Sequence, residues 1–418
     1  YSLEAVLMRI LVVSQYFWPE NFRINDLCLE MVSKGHSVTV LTGEPNYPSG
    51  IKDKNYLKDK QKYNEFQGCK VVRVPLVARG EGKLRLILNY ISYFFFASTL
   101  GLWRLRKQKF DVVFVCQLSP VTSAIPAILY RKIYGTPVVM WVLDLWPDSL
   151  KAVGVVKSDK LLSIINRLVQ SIYNRCDLIL GQSKSFVSEI TNNSNDVKVD
   201  YFPSWAEDVF DNKLETDVVT LSDDNTFDIL FAGNIGEAQD FPNLLNTMSI
   251  LKEKEVKVRI HIVGDGRYLE ILKEQITLND LSDYIKLWGR FPLADMPKFF
   301  AAADVLFVSL KDSPTFSMTI PGKVQSYMMA EKPVLASLSG DGADVILQSS
   351  CGLVSAPGDY QSLAKNIESM INLDATELGE MGGNGKGYAD KYFNRSLLMS
   401  NLVNWLEQVS SARSGNKN

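Results

Sequence analysis

A lysine stands in the segment TIPGKVQSYMMAEKPVLA, residues 319–336, where helices usually carry acidic side chains. Pro321 suits a first helical turn, and Lys323 then lies in that turn, where the helix dipole already contributes roughly half a positive charge. The backbone N–H groups of residues 322–324 have no acceptor within such a helix. A bound anion would stabilise the charge, the dipole and the N–H groups together. The pattern therefore indicates a phosphate site, with a solvated surface lysine as the alternative.

Glycine also occurs at three other strand-to-loop junctions in the same half of the chain. It allows backbone N–H groups to approach a ligand closely, and a helix that opens after Gly-x-Gly offers an anion site at its N-terminus. An ordinary tight turn explains each junction equally well. The junctions are Gly233-Asn234-Ile235-Gly236, Gly264-Asp265-Gly266-Arg267 and Trp288-Gly289-Arg290-Phe291. The last of them offers an aromatic or backbone edge that a nucleotide base could contact.

The predicted helix after Pro321 and Gly322 places three polar side chains on one face. Lys323, Ser326 and Tyr327 follow the i, i+3, i+4 spacing that brings helical side chains together. We therefore expect these side chains to face the same ligand as the glycine loops.

Strands and helices must position these residues. Short apolar runs alternate with longer helical stretches along the chain, and this alternation predicts parallel sheets covered by helices. The first half contains RILVV, SVTVL, KVVRV, DVVFV, PVVMWVL and DLILGQ, and the second contains FDILFAG, VRIHIVG, IKLWG, DVLFVSL and KPVLAS. The periodic signal is absent around residues 203–217, where Pro, Asp and Asn cluster. We predict two doubly wound α/β domains that face each other across a cleft at the carboxyl ends of the strands, where such sheets bind ligands.

Composition excludes several classes of protein. The 418 residues carry a net charge of -2, which does not fit a nucleic-acid-binding protein. The five cysteines are widely spaced and form no CxxC pair, so neither a zinc site nor a disulfide scaffold is expected. No Asp-x-Asp motif or His/Cys cluster indicates a metal site. Residues 1–7 are predicted to be a vector remnant, because Met8 directly precedes the first strand.

Taken in order, the motifs resemble those of the retaining glycosyltransferases of family 4, which have the GT-B fold. The resemblance extends over nearly all of residues 8–409. It rests on FAGNIGEAQDFPNLL, HIVGDG, LWGRF, AAADVLFVSL and PGKVQSYMMAEKPVLA, with KGHSVTVLTGEPNYPSG and VLDLWPDSL in the first half. The combination YFWPENFRIND, PNYPSG and DLWPDS is similar to bacterial polysaccharide enzymes of the colanic-acid and N-acetyl-L-fucosamine transferase type.

This resemblance implies two Rossmann-like domains and a C-terminal crossover helix. Residues 8–203 would form the acceptor-binding domain, residues 204–394 the donor-binding domain, and residues 395–418 the helix that returns to the first domain. The donor would be a nucleotide sugar, most simply UDP-linked, which is a substrate and not a cofactor. The reaction would retain the configuration of the anomeric carbon and would need no metal.

Three positions depart from the commonest family pattern. The family's Glu-x7-Glu pair, whose second glutamate binds the donor ribose, falls on Met318 and Ser326, and a lysine common after the first glycine loop falls near Gln239. Lys323 would then supply the missing positive charge, which indicates a subtype with a Pro-x-Lys-x-x-x-Tyr motif.

We predict catalytic roles for Lys323, Arg290 and Asp144. Lys323, supported by Arg290 and also by Arg267, would stabilise the charge that develops on the departing diphosphate. Asp144, at the end of the fifth predicted strand, would orient the acceptor or stabilise oxocarbenium-like charge, with a helix N-cap as the alternative. Neither histidine is expected to act as a base, because His36 occupies a turn and His261 lies within a strand. The predicted acceptor-binding residues are Trp18, Glu20, Asn21, Arg23 and Asp148.

The stretch KLRLILNYISYFFFASTLGLWRLRKQKF, around residues 84–107, is nearly apolar enough to cross a membrane. A span would break the first sheet, which needs a helix at this point. Flanking lysines and arginines with several aromatic residues favour an interfacial helix on anionic lipid, and a buried domain helix is the alternative. We expect a cytoplasmic enzyme on the inner face of the bacterial plasma membrane.

The leading hypothesis is transfer of an N-acetylated sugar from UDP to a polyprenyl-diphosphate-linked acceptor in O-antigen, capsule or exopolysaccharide synthesis. A GT-B sugar-nucleotide epimerase is the second enzyme hypothesis, and it would need paired carboxylates near the sugar. A non-catalytic nucleotide-sugar-binding protein is the third, because the family glutamates are absent.

Overall fold

A computed structural model of the chain describes residues 7–152, 156, 158–206, 208–210, 219–222 and 225–415. It divides into two compact units. The first runs to Pro203 and resumes at Ser396, and the second is Ser204–Arg395. The predicted vector remnant, except for Leu7, and parts of the predicted joint lie outside the described residues.

The sheet of the first unit has the strand order β3-β4-β2-β1-β5-β6-β7-β8, and only the β3–β4 pair is antiparallel. The central strands are buried on both faces, as parallel strands covered by helices must be. The strands are β1 (Arg9–Val13), β2 (Ser37–Gly43), β3 (Glu65–Phe66), β4 (Cys69–Val74), β5 (Val112–Gln117), β6 (Val138–Val142), β7 (Leu178–Gly181) and β8 (Lys198–Tyr201).

Helices connect these strands, and local capping sets where several of them begin. The Ser183 hydroxyl accepts the Phe186 N–H at 3.1 Å at the start of α8, and the Asp53 carboxylate accepts the Tyr56 N–H at 2.7 Å at the start of α2. The helices are α1 (Arg23–Ser33), α2 (Lys54–Lys58), α3 (Lys83–Phe96), α4 (Leu102–Leu105), α5 (Ile125–Tyr134), α6 (Asp148–Ala152), α7 (Asp159–Tyr173) and α8 (Lys184–Asn192).

The α3 and α4 helices form one continuous rod, joined by a π turn at Ala97–Gly101. Its inner side includes Asn89 and Tyr93, both fully buried. Gly101 also packs closely against the first sheet, because a Cβ at this position would lie 2.8 Å from Leu41 Cδ1. The outer side exposes the large apolar residues Leu84, Ile87, Leu88, Ile91, Phe95 and Trp103. The rod is therefore neither fully buried nor detached from the fold. Asn89 and Tyr93 belong to the interior of the first unit and are not available to a lipid surface.

The second unit has a fully parallel sheet with the order β11-β10-β9-β12-β13-β14. The strands follow the predicted apolar runs, and their inward side chains form cores on both faces of the sheet. They are β9 (Phe227–Ala232), β10 (Val258–Val263), β11 (Ile285–Gly289), β12 (Val305–Ser309), β13 (Val334–Ser337) and β14 (Gly352–Ser355).

The helices of this unit cover both faces of its sheet, and the last helix of the chain rejoins the first unit from Ser396 onward. In that first unit Trp405 packs edge-on against Phe202, with ring centroids 6.0 Å apart. The helices are α9 (Phe241–Glu253), α10 (Leu269–Leu278), α11 (Met296–Ala302), α12 (Pro314–Ser317), α13 (Gly322–Met329), α14 (Asp341–Ser349), α15 (Tyr360–Ile371), α16 (Ala375–Tyr392) and α17 (Arg395–Gly415).

Candidate active site

The three glycine junctions of the second unit lie at the carboxyl ends of β9, β10 and β11, which are adjacent in the sheet. The Gly233 N–H donates to the Val263 carbonyl at 2.9 Å, and the Gly264 N–H donates to the Gly289 carbonyl at 2.8 Å. A Cβ on Gly264 would lie 1.8 Å from the Gly233 carbonyl oxygen, and φ at Gly264 is +153°. The structure thus brings the three loops together, and Gly264 is required by close packing of the backbone.

The remaining residues of the first two junctions share this close packing. A Cβ on Gly266 would lie 2.1 Å from the Ile235 carbonyl oxygen, and the Ile235 N–H donates to the Asp265 carbonyl at 2.8 Å. The Asp265 carboxylate accepts the Gly266 N–H at 2.7 Å. The side chains of Asn234, Asp265 and Arg267 are exposed at this edge.

The Lys323 side chain reaches these loops from the first turn of α13. A Cβ on Gly233 would lie 2.6 Å from Lys323 Cε and 3.0 Å from Nζ, so the glycine makes room for the lysine. The Nζ atom lies 4.9 Å from the centroid of the Phe231 ring. Burial lowers the pKa of Lys323 to about 8, and no carboxylate among the described residues offsets this effect. The site thus contains a desolvated cation beside backbone that a ligand can approach closely.

Three groups of this segment that we expected to face a ligand form hydrogen bonds within the protein. Tyr327 is buried, and its hydroxyl accepts the Ala232 N–H at 3.2 Å, so it anchors the helix to the end of β9. Ser326 is also buried and donates to the Gly322 carbonyl at 3.2 Å. The Val324 N–H, expected to be free, donates to the Pro321 carbonyl at 2.9 Å. Spacing alone could not identify the exposed face, because Val324–Met329 is buried on all sides.

The third junction contains a hydrogen-bonded chain that sequence reasoning missed. The Trp288 Nε1–H donates to His261 Nδ1 at 3.0 Å, and His261 Nε2 lies 2.9 Å from Asp228 Oδ1. His261 lies within β10, as predicted, and is fully buried. The Phe291 ring is 38% exposed and packs edge-on against Phe299 at 4.8 Å. Polar residues within the otherwise apolar strands FDILF and RIHIV were the signal for this chain.

Other positions around these loops have simpler roles. Arg290 is exposed, and Gly289 has a φ of +79° with open space where a side chain would begin. Gln239, which replaces the expected lysine, is buried, and its Oε1 accepts the Gly236 N–H at 3.1 Å. An uncharged loop-capping amide therefore occupies that position.

Asp144 lies in the first unit, just beyond the carboxyl end of β6. The helix α6 begins only at Asp148, so the alternative of a helix N-cap is wrong for Asp144. Its Oδ2 accepts the Trp146 indole N–H at 3.0 Å. Burial raises the pKa of this carboxyl group, and the polar side chains of Ser149, Ser119 and Trp146 partly oppose that shift.

The structure separates the predicted acceptor residues into buried and exposed ones. Glu20 is buried, and its carboxylate accepts the backbone N–H groups of Asn46 and Tyr47, both at 2.7 Å, which makes it a structural residue. Burial raises its pKa. Trp18 is partly buried and stacks against Tyr63 and Phe66, at centroid distances of 4.8 and 5.1 Å. The Glu20 carboxylate is therefore engaged within the fold, contrary to the predicted acceptor contact, whereas acceptor contact by Trp18 stays a prediction.

The other three acceptor candidates lie nearer the surface. Asn21 is exposed, and Arg23 begins α1, where its guanidinium lies 3.8 Å from the Asp26 carboxylate. Asp148 is exposed at the start of α6 and lines a pocket of about 550 Å³ together with Trp146.

Family models match both halves of the chain. The model described as glycosyl transferase 4-like domain matches residues 21–205, and the model described as glycosyl transferases group 1 matches residues 226–372. The chain is 27% identical to the probable glycosyltransferase WbjE of Pseudomonas aeruginosa over 66% of this chain and 69% of that protein. It is 26% identical to the putative colanic acid biosynthesis glycosyl transferase WcaI of Escherichia coli K12, over 66% and 70%.

A solved structure shares the fold over almost the full length. Anabaena Alr3699/HepE in complex with UDP-glucose is 15% identical, and the match covers 98% of this chain and 100% of that protein with a TM-score of 0.64. At this identity the likeness shows the fold alone.

Proposed function

Because the chain belongs to the GT-B glycosyltransferases that pair a 4-like domain with a group 1 domain, we propose that it builds a bacterial surface polysaccharide. It transfers an N-acetylated sugar, for example the 6-deoxy sugar N-acetyl-L-fucosamine, from UDP to a polyprenyl-diphosphate-linked saccharide. The relative WcaI supports the polysaccharide role, since it is named for colanic acid biosynthesis, and WbjE, named as a probable glycosyltransferase, supports glycosyl transfer. HepE, solved with UDP-glucose, supports a UDP-linked donor.

The desolvated ammonium group of Lys323 is the observation that carries this proposal. It has no carboxylate partner among the described residues, and it lies beside Gly233 at the edge of the sheet where such folds bind ligands. A diphosphate gains negative charge as the glycosidic bond breaks. A cation that is already desolvated stabilises this charge more than it stabilises the ground state, and it therefore lowers the barrier.

Retention of configuration fits the side chains that this chain provides. Both histidines are engaged in the fold: His36 Nδ1 accepts the Met8 N–H at 3.3 Å, and His261 contacts Asp228 and Trp288 through its two ring nitrogens. In our proposal a departing phosphate oxygen accepts the proton from the attacking hydroxyl on the same face of the sugar. Asp144 then orients the acceptor or stabilises positive charge on the sugar.

We propose that the reaction is metal-independent. The described residues contain no group of three or more His, Cys, Asp or Glu side chains that could hold a metal ion. In its place, Lys323 and the exposed Arg290 would neutralise the diphosphate. Full activity in excess chelator is the expected result, and restoration of lost activity by Mg²⁺ or Mn²⁺ would contradict it.

We also propose that the enzyme works on the inner face of the plasma membrane, through the outer side of α3 and α4. Within the described residues, the rod Lys83–Leu105 is the one helical segment long and apolar enough to cross a membrane. Leu84 is 71% exposed, and Phe95 and Trp103 are 54% and 58% exposed. Apolar side chains beside Arg85, Arg104 and Arg106 fit the interface of an anionic bilayer.

A panel of nucleotide sugars tests the proposed function. The purified protein is incubated with UDP- and GDP-linked sugars and a short-chain prenyl-diphosphate saccharide, and products are identified by mass spectrometry and by the NMR coupling of the new anomeric proton. Transfer from a UDP-linked N-acetylated sugar with retained configuration is expected. Epimerised donor would favour the epimerase, and UDP binding without transfer or hydrolysis would favour the binding protein.

A further inference from the structure

Three aromatic rings form a platform at the carboxyl edge of the first sheet. Tyr16 follows β1, Phe22 precedes α1, and Tyr47 follows β2. The ring centroids are 5.3 Å apart for Tyr16 and Phe22, 5.2 Å for Phe22 and Tyr47, and 5.6 Å for Tyr16 and Tyr47. Tyr16 is 3% exposed, whereas Tyr47 is 41% exposed. We call these three residues the aromatic platform; Tyr16 is its base and the other two present ring surface to solvent.

A cationic group borders the platform. The Arg79 guanidinium lies 5.5 Å from the centroid of the Tyr47 ring. Arg79 belongs to the loop after β4, which is the neighbour of β2 in the sheet. No carboxylate of the described residues forms an ion pair with this guanidinium. Its remaining donors are therefore available to an oxygen-rich ligand.

The loops that hold the platform are fixed to one another by buried polar groups. The Glu20 carboxylate accepts the Asn46 and Tyr47 N–H groups at 2.7 Å, which joins the loop after β1 to the loop after β2. The Asn46 side-chain oxygen accepts the Arg79 N–H at 3.0 Å, which adds the loop after β4. The exposed rings thus have a fixed backbone, and fixed binding groups lose less conformational entropy when a ligand binds.

The chemistry of these groups selects a class of ligand. An exposed aromatic face packs well against the C–H face of a pyranose ring, and a guanidinium donates paired hydrogen bonds to ring hydroxyls or to an attached phosphate or carboxylate. We propose that the platform binds a pyranose of the acceptor saccharide, stacked on Tyr47 and Phe22, with Arg79 donating to its hydroxyls or its attached anionic group. This inference rests on the proposed function, and it places acceptor binding on residues that the sequence had not indicated.

Saturation-transfer NMR with the full-length protein tests ring binding without any need for turnover. The probes are methyl glycosides of glucose, galactose, N-acetylglucosamine and glucuronate, together with glucose 1-phosphate. We expect C–H protons of at least one pyranoside to receive saturation in the wild type, and this signal to fall at least fivefold in Tyr47→Ala but to persist in Tyr47→Phe. Arg79→Ala should weaken the binding of the anionic probes more than the binding of the neutral ones.

Controls separate the platform from the overall fold and from the proposed function. Tyr360→Ala removes a tyrosine of similar exposure from the second unit and should leave the pyranoside signal unchanged. Calorimetric UDP affinity should be equal in the wild type and in Tyr47→Ala, whereas the KM for acceptor should rise at least tenfold. Absence of any pyranoside binding in the wild type, or binding that Tyr47→Ala does not weaken, would overturn the platform. Pyranoside binding without transfer would instead refute the proposed function alone.

Discussion

At the scale of single residues, Lys323 has surroundings that disfavour a charge until an anion binds. Removing an ammonium group from water is costly, which is why burial lowers its pKa to about 8. The first turn of α13 adds the positive end of a helix dipole. In the free protein the charged ammonium and the positive helix end are both unfavourable. In the complex with a diphosphate both become favourable, since each attracts the anion. The residue is therefore arranged for ligand binding and not for stability of the free protein.

Replacing Lys323 should affect turnover far more than folding. We expect Lys323→Ala to lower kcat by about 10²- to 10³-fold, in line with the loss of one preorganised group that stabilises developing charge. The midpoint of thermal unfolding should stay the same or rise, because a desolvated charge has been removed. Steady-state kinetics and calorimetry measure the two effects. Lys257→Ala, at an exposed position of the same unit, is the matched control, and an unchanged kcat for Lys323→Ala would contradict the role.

The pH dependence gives a second readout of the same residue. Its pKa is about 8 when folded and 10.5 ordinarily, so the unfolded chain binds more protons between these values. The contribution of Lys323 to stability therefore increases as pH rises from about 8 toward 10.5. Bound UDP favours the charged ammonium, so UDP affinity should fall as pH rises above about 8. Lys323→Arg should remove this dependence, because a guanidinium keeps its charge.

The errors at this scale have a common physical cause. Glu20 and Tyr327 have polar groups of the kind found in binding sites, yet each satisfies backbone groups inside its own unit. A sequence reports the capacity of a side chain for hydrogen bonding but not its partner. Lys323 could be recognised because its position at a helix start was unfavourable on local grounds alone.

At the scale of elements, the sequence predicted strands better than helices. Most strands were predicted correctly because buried parallel strands give continuous apolar runs. The short or less apolar strands β3, β8 and β14 gave no such run. The helix α16 was missed since it contains five glycines, which favour loops on intrinsic propensity. Its Gly382 shows the reason: a Cβ there would lie 2.1 Å from the Glu331 carbonyl oxygen, so glycine permits close packing.

Substituting Gly264 should damage the second unit. In Gly264→Ala the new methyl group would meet the Gly233 carbonyl oxygen, and φ would remain at +153°, which alanine rarely adopts. Overpacking and backbone strain each cost about 1–3 kcal/mol, so we expect about 2–6 kcal/mol less stability. Urea unfolding followed by circular dichroism measures this loss.

A helix glycine provides the matched control for that substitution. Gly387 lies in α16, and a Cβ added there would have no neighbouring atom within 4 Å, so Gly387→Ala should be neutral or stabilise by up to about 1 kcal/mol. Equal stability of Gly264→Ala and the wild type would show that the two loops are less closely packed than described.

At the scale of the whole molecule, the chain consists of two parallel-sheet units, as the alternating pattern predicted. That pattern is a property of long stretches, so it tolerates errors at individual positions. The location of exposed apolar surface was harder to predict. The run at residues 84–107 is apolar on nearly every side, and only packing against the first sheet decides which side is covered.

The exposed side of α3 should bind anionic membranes. We expect the wild type to float with vesicles containing 30% phosphatidylglycerol at low salt, and Ile91→Glu with Phe95→Glu to reduce the bound fraction at least tenfold. Added carboxylates would be repelled by the lipid and would remove apolar contacts. Leu278→Glu, at a residue 76% exposed in the second unit, is the control. Equal flotation of the double variant and the wild type would leave α3 without a membrane role.

The buried Asn89 side chain has a practical consequence for handling the protein. Its amide accepts from Gln15 at 2.7 Å and donates to the Val77 carbonyl at 2.7 Å, so the helix is tied to loops on two sides. A helix held in this way cannot leave its unit to enter the lipid without breaking buried hydrogen bonds. Any attachment is then limited to the depth of a few side chains. Cell fractionation should accordingly recover the enzyme from membranes with concentrated salt, in native form and without detergent.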